Sequence, residues 1–210
     1  MPGAEYILPF LVTVLILSVT PGPGMLYIAA QTVGRGRKAG WFSALGTHLA
    51  SYVHITATAF GLSFLLQAVP VAYLALKVAG ALYLFWLGFK FLMLEEAPAQ
   101  AQAPGSSPSH RTALKESFLV EVTNPKSAVF FIAFLPQFTD PGSAAPFWLQ
   151  IVMLGVIANL IFSLAEVGCV FFADQVATLF RKSRAAGRWM RKAAGSVLIA
   201  LGVNLLVSER

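Results

Sequence analysis

Four ionisable side chains stand inside long apolar stretches of this sequence: His54, Glu121, Lys126 and Glu166. A charge at the centre of a bilayer costs about 2.5–3.5 kcal/mol even on the lenient insertion scale, so each would need a partner or water. Lys126 follows Pro125 directly, and either Glu121 or Glu166 could neutralise it. Two readings stay open for Lys126: an ion pair that fixes the fold, or a charge that meets a substrate or coupling ion. Glu121, Glu166 and His54 are the candidates for proton coupling. An imidazole titrates near neutral pH, although a lone histidine on an apolar helix is more often a hydrogen-bonded packing residue.

Next to these groups the apolar runs are broken. Thr20-Pro21-Gly22-Pro23-Gly24 interrupts the first run, and Asn124-Pro125-Lys126 interrupts a later one. Thr and Asn are good N-caps, and proline suits the first position of a helix, where its missing N–H would have had no partner. Each break can end one half-helix and start another, with Thr20 and Asn124 as the expected starts. Exposed backbone groups in lipid cost several kcal/mol each, so such breaks persist only against protein or a wet cavity. Freed N–H groups at the positive end of a half-helix would suit a carboxylate, and Gly22 and Gly24 allow close approach. The bland alternative is a pair of structural proline kinks. Against it, aligning Val19-Thr20-Pro21 with Thr123-Asn124-Pro125 gives an offset of 104 residues, about half the chain.

The elements that carry these residues are membrane helices. Hydrophobic residues make up 57% of 210 positions and charged ones 11%, too few charges to solvate a soluble domain of this size. No Asp, Glu, Lys or Arg occurs from Ala39 to Leu76, and Glu166 is the only one from Pro141 to Ala173. About 20 apolar residues cross the hydrocarbon core, so helices are predicted at 6–32, 39–66, 71–93, 113–138, 146–173 and 190–208. The fold class is an all-α membrane protein of about six transmembrane helices. They form two three-helix inverted-topology repeats, 1–96 and 113–210, with the first helix of each broken at proline. Between them, 97–112 is rich in Ala, Pro, Gln, Gly and Ser and reads as a flexible cytoplasmic linker. Gly46, Ala50, Gly80 and Gly88 are expected at close helix contacts.

Basic residues set the orientation. Arg35, Arg37 and Lys38 follow the first helix, Lys90, Arg111 and Lys115 flank the linker, and Arg181, Lys182, Arg184, Arg188, Arg191 and Lys192 precede the last helix. Only Lys77 and Arg210 fall on the other side, so these basic segments should face the cytoplasm and both termini the outside. The net charge of +6 is then a matter of topology and anionic lipid, not of nucleic acid. The N-terminus lacks the basic start of a cleaved signal peptide, so the first helix is expected to be retained. Cys169 is the single cysteine, which excludes an intrachain disulfide and suits a small packing residue.

Several of these motifs together resemble the LysE/RhtB family of amino-acid exporters. They are Thr20-Pro21-Gly22-Pro23 followed by Gly34-Arg35-Gly36-Arg37-Lys38-Ala39-Gly40, then Leu76 to Gly88. Asn124-Pro125-Lys126 with Phe130-Phe131 and Phe134-Leu135-Pro136-Gln137-Phe138 follows, and Gly195 with Leu201-Gly202 closes the series. The resemblance runs from about 6 to 207, outside the linker, and departs from the family at Ala50-Ser51 and at Glu121. It implies a multi-pass protein of the bacterial inner membrane that exports small amino acids without ATP, coupled to a proton or membrane-potential gradient. The substrate-binding set it points to is Thr20, Pro21, Gly22, Pro23, Gly24, Asn124, Pro125 and Lys126. The alternative is an ion or metal-ion exporter of the same architecture. Partners are the amino acid and membrane lipid, and a homodimer is compatible with the pattern. No nucleotide loop, serine-nucleophile signature or Cys/His metal spacing occurs, so no enzyme, cofactor or metal site is expected.

Overall fold

The computed structural model describes residues 4–62, 70–93, 109–182 and 184–207, and among these every regular element is a helix. In chain order these are α1 (Ala4–Val19), α2 (Pro23–Arg35), α3 (Arg37–Thr56), α4 (Pro70–Met93), α5 (His110–Val122), α6 (Pro125–Val129), α7 (Phe147–Lys182) and α8 (Arg184–Val207). A π-helical turn, Ala57–Leu62, continues α3. A π turn, Phe130–Phe134, and a 3-10 turn, Leu135–Phe138, continue α6. Two of the rods are bent pairs: Tyr6–Val19 with Pro23–Arg35 at 42°, and His110–Val122 with Pro125–Phe138 at 49°. Phe147–Ala173, at 27 residues, is long and apolar enough to cross a membrane alone, and each bent pair is so as one span. Together with α3, α4 and α8 these make six rods among the described residues.

The boundaries differ from expectation at three places. The fifth helix runs on to Lys182, and the sixth starts at Arg184 rather than near 190, so the basic cluster there sits on helix ends instead of a loop. Residues 110–112, expected in the linker, already belong to α5, because Ser109 caps that helix by accepting the Arg111 N–H at 3.2 Å. The remainder of the linker up to 108, and Arg210, lie outside the described residues. Lys77 is not at a helix end but inside α4 and buried. Gly36 alone joins α2 to α3, at φ 86°, a left-handed conformation that favours glycine.

Large apolar side chains point outward from most rods. On α1, Leu8, Val12, Leu15 and Val19 recur at helical spacing as one exposed stripe, and Leu82, Trp86, Phe89 and Met93 do the same on α4. That is the covering a bilayer requires, since a soluble surface rarely carries contiguous apolar patches of this extent. Inside, without a hydrophobic drive between helices, close packing has to hold the rods. At Gly46 on α3 a side chain would overlap Ser117 Oγ and the Leu114 carbonyl of α5, so the two backbones cross in contact. Gly88 of α4 and Gly195 of α8 approach in the same way, each facing the other's carbonyl oxygen. Gly80 packs on Ala133, and Ala50 is fully buried. Behind the breaks a chain of phenylalanines fills the core: Phe10 meets Phe138 edge-on at 5.5 Å, and Phe138 meets Phe134 at 5.3 Å.

Candidate functional site

The two breaks lie against each other. A Cβ at Gly22, in the first break, would stand 3.2 Å from Lys126 Cδ and 3.9 Å from Asn124 Nδ2 in the second. Gly22 and Lys126 are themselves 104 positions apart, the offset that relates the breaks in sequence. Pro21, Gly22, Pro23, Asn124 and Lys126 share the lining of a cavity of about 40 Å³ with Tyr83, Leu87 and Leu198. Five of the eight residues expected to bind substrate therefore come together around one space. Of the other three, Gly24 faces a neighbouring polar cluster, while Thr20 is turned back on α1 and Pro125 opens α6.

The second break forms as its sequence suggests. Asn124 is extended, its Oδ1 accepts the Lys126 N–H at 3.0 Å, and Pro125 takes the first helical position. The first break does not start at Thr20. The Thr20 hydroxyl donates to the Ile16 carbonyl at 2.8 Å, a back-bond that closes α1, and the N-cap of α2 is Gly22 with Pro23 at the first position. Glycine supplies no capping side chain. Leu26 is the first amide of α2 to reach a carbonyl, that of Gly22 at 2.9 Å, which leaves the Gly24 and Met25 amides outside the ladder. The positive end without a capping side chain thus belongs to α2, with the Glu121 carboxylate beside its first turn, and the corresponding end of α6 is capped by Asn124.

Lys126 makes neither of the expected ion pairs. Its Nζ donates to the Leu17 carbonyl at 3.0 Å, which also accepts the Thr20 N–H, and to the Thr20 carbonyl at 2.6 Å, both at the C-terminal end of α1. A cation there complements the negative end of the half-helix. His54 does the matching work for α5: its Nε2 donates to the Glu121 carbonyl at 3.1 Å, and its ring stacks on Phe131 at 5.8 Å. Leu17 and Glu121 are again 104 positions apart. The last turn before each break is thus closed by a side chain from another rod.

The Glu121 carboxylate turns inward and is buried. Oε2 accepts from Asn124 Nδ2 at 3.0 Å, and Oε1 accepts from the Ser127 hydroxyl. A Cβ at Gly24 would overlap this carboxylate and stand 3.3 Å from Thr47 Cγ2, so glycine at 24 is what lets Glu121 reach the first turn of α2. Glu166 on α7 faces Thr47 and is close enough to Glu121 and Lys126 to interact with both charges. Four rods therefore meet at Gly24, Thr47, Glu121 and Glu166. His48 belongs to a neighbouring polar contact, with Nδ1 2.6 Å from Ser163 Oγ and its carbonyl accepting from Asn159 Nδ2 at 3.2 Å.

Sequence reasoning missed Ser127, Thr47, Tyr83, Leu87 and Leu198. Ser127 carried a signal, being the third residue of a helix capped by Asn124, where a side chain can return to the helix start. The others are ordinary residues of apolar helices, and only packing brings them to the breaks.

Paired broken rods meeting inside an all-helical, apolar-surfaced bundle define a membrane transport protein. The chain belongs to the LysE type translocator family, which it matches over residues 15–209. It is a translocator and not an enzyme. It is similar to an uncharacterized membrane protein of Pseudomonas aeruginosa, 32% identical over 201 residues, covering 93% of this chain and 92% of that one. It is also similar to a leucine efflux protein of Enterobacter, 31% identical over 176 residues, with 83% and 82% covered. A homoserine/homoserine lactone efflux protein of Salmonella typhi is 29% identical over 214 residues, with 98% of both chains covered. No solved structure matches the chain.

Proposed function

We propose that this protein exports amino acids from the cytoplasm across the bacterial inner membrane as a secondary transporter. The halves 1–96 and 113–210 act as inverted repeats around the paired breaks. The observation that carries the reading is the meeting of the breaks, with Gly22 against Lys126 and Asn124. Relatives named for leucine efflux and for homoserine efflux support the substrate class. In this reading the substrate carboxylate meets the start of α2 at Gly22, beside Lys126, on the side of the break away from Glu121. The ammonium group meets Glu121 and Glu166, and protonation of that pair releases it, which would couple export to a proton gradient. His54, committed to the Glu121 carbonyl, positions the break rather than carrying the proton.

Cells that overproduce the protein and are fed dipeptides should accumulate amino acids in the medium faster than cells carrying an empty vector. Raised tolerance to a metal ion with no amino-acid release would replace this reading by the ion-exporter alternative. In proteoliposomes, amino-acid flux should follow an imposed pH gradient. Flux that responds to membrane potential alone would remove the proton from the coupling step.

A further inference from the structure

His48 is bonded differently from His54. His54 gives one ring nitrogen to a backbone carbonyl and stacks its face on Phe131, which is the work of a packing residue. His48 instead spends both ring nitrogens on hydroxyl groups. Its Nδ1 lies 2.6 Å from Ser163 Oγ of α7, and its Nε2 lies 3.3 Å from the Tyr52 hydroxyl one turn along α3. A hydroxyl can give or accept a proton, so the same two partners satisfy either tautomer of the neutral ring. Asn159, fully buried, donates to the His48 carbonyl at 3.2 Å and fixes α3 against α7 at this level. These contacts adjoin the carboxylates. Asn159, Ser163 and Glu166 recur at helical spacing on the face of α7 turned to α3, and Thr47, the neighbour of His48, faces Glu166. Ser163 and Glu166 are three positions apart, which sets their Cβ atoms about 5–6 Å apart, within reach of a glutamate side chain. The other titratable groups facing Glu166 are Glu121 of α5, Lys126 of α6 and Cys169 on its own helix.

We propose that Tyr52, His48 and Ser163 relay protons to the Glu121–Glu166 pair, with His48 as the transferring group. This rests on the reading above, in which protonation of that pair releases the substrate ammonium group. The pair sits where four rods meet, so a proton has to reach it through side chains or water and not through lipid. In one transfer Nε2 takes up a proton from the Tyr52 side, and Nδ1 gives the proton it held to the Ser163 hydroxyl. The hydroxyl passes its own proton to the Glu166 carboxylate. One proton enters, one leaves, and the ring ends neutral in its other tautomer. The order Thr47, His48, Tyr52 along α3 leads away from Arg37. With the basic end toward the cytoplasm, the relay approaches Glu166 from outside, the side from which a driving proton enters.

The test uses purified protein in proteoliposomes loaded with an equimolar mixture of amino acids, each read by mass spectrometry. Two modes are compared: efflux driven by an imposed pH gradient, and exchange against the isotopically labelled mixture outside with no gradient. Exchange returns the carrier loaded, so it needs no net proton transfer. His48→Gln should lower driven efflux at least about tenfold and leave exchange within about twofold of wild type. Tyr52→Phe and Ser163→Ala, each the loss of one oxygen, should lower driven efflux in the same selective way, and Ser163→Thr should retain it. A residue that only packs would move both modes together or neither. Either result in His48→Gln overturns the relay while proton coupling of the wild type stands. Wild type that exchanges amino acids without responding to the pH gradient would remove the coupling on which the relay rests. Neither efflux nor exchange of any amino acid by wild type would overturn the exporter reading itself.

Discussion

At Lys126 the charge is spent on backbone rather than on a carboxylate. Two charge-assisted hydrogen bonds to Leu17 and Thr20 hold the end of α1 against the start of α6, each of a kind worth about 1.5–3 kcal/mol. Lys126→Gln removes the charge and shortens the reach, so efflux should fall at least about tenfold at unchanged membrane level. Neutralising Glu121 as well should not restore it, because no Lys126–Glu121 pair is there to be removed together. Recovery in Lys126→Gln/Glu121→Gln, measured as efflux per unit of membrane protein, would contradict the geometry. Of these details the sequence made Asn124 legible as a cap, since Asn-Pro is itself a helix-start signal. It did not make Gly22 legible over Thr20. With two prolines in three positions the helix could start after either, and the Thr20 hydroxyl had a local alternative in the Ile16 carbonyl. The direction of the Lys126 side chain was not legible at all, because the carbonyls it meets lie 106 and 109 residues away.

Among the elements, α3 meets α5 backbone to backbone at Gly46, and the logic of that seam is spacing by four. Gly46, Ala50 and His54 share one face of α3: the first admits the α5 backbone, the second is fully buried, and the third closes the end of α5. A methyl at Gly46 has nowhere to go, because the Leu114 carbonyl is backbone and cannot swing aside. Gly46→Ala should therefore lower the melting temperature of the purified protein in detergent, with an overpacking cost of about 1–3 kcal/mol. Gly168→Ala, in α7 with nothing near its Cβ position, should leave melting unchanged or raise it, since alanine is the better helix former. Equal melting of the two variants would mean that the seam is looser than described. The small-residue spacing on α3 could be read in advance, and so could the position of both bends. The π turns after α3 and α6 could not, because no residue type marks them, and the helical join at Lys182 and Arg184 was hidden by a charge run that reads equally well as a loop.

For the whole molecule, the segregation of charge gave the membrane class and the number of rods, while the way half-helices pair across the breaks needed the structure. Composition cannot say that α2 lies with α5, yet that pairing is visible in the Tyr27 hydroxyl donating to Glu116. The basic segments, far apart in sequence, are drawn toward one end. Phe42, near the start of α3, stacks on His110 at the start of α5 at 5.2 Å, and Arg37 lies 5.9 Å over the Phe171 ring, in the half of α7 that leads to Arg181 and Lys182. Arg37, Lys38 and Arg111 thus belong to one end of the bundle, and from the positive-inside rule we propose that this end faces the cytoplasm. If all six rods cross, both termini then lie outside. A reporter active only in the cytoplasm should be silent when fused after Arg210 and active when inserted in the segment 97–108. The two fusions have to disagree. Activity at both sites would mean an odd number of crossings, with α8 the one to reassign: its uncharged stretch, from Ala193 to Val207, is short against the roughly 20 residues a span requires. Silence at 97–108 with activity after Arg210 would instead invert the whole molecule, and with it the direction in which the start of α2 presents a carboxylate site.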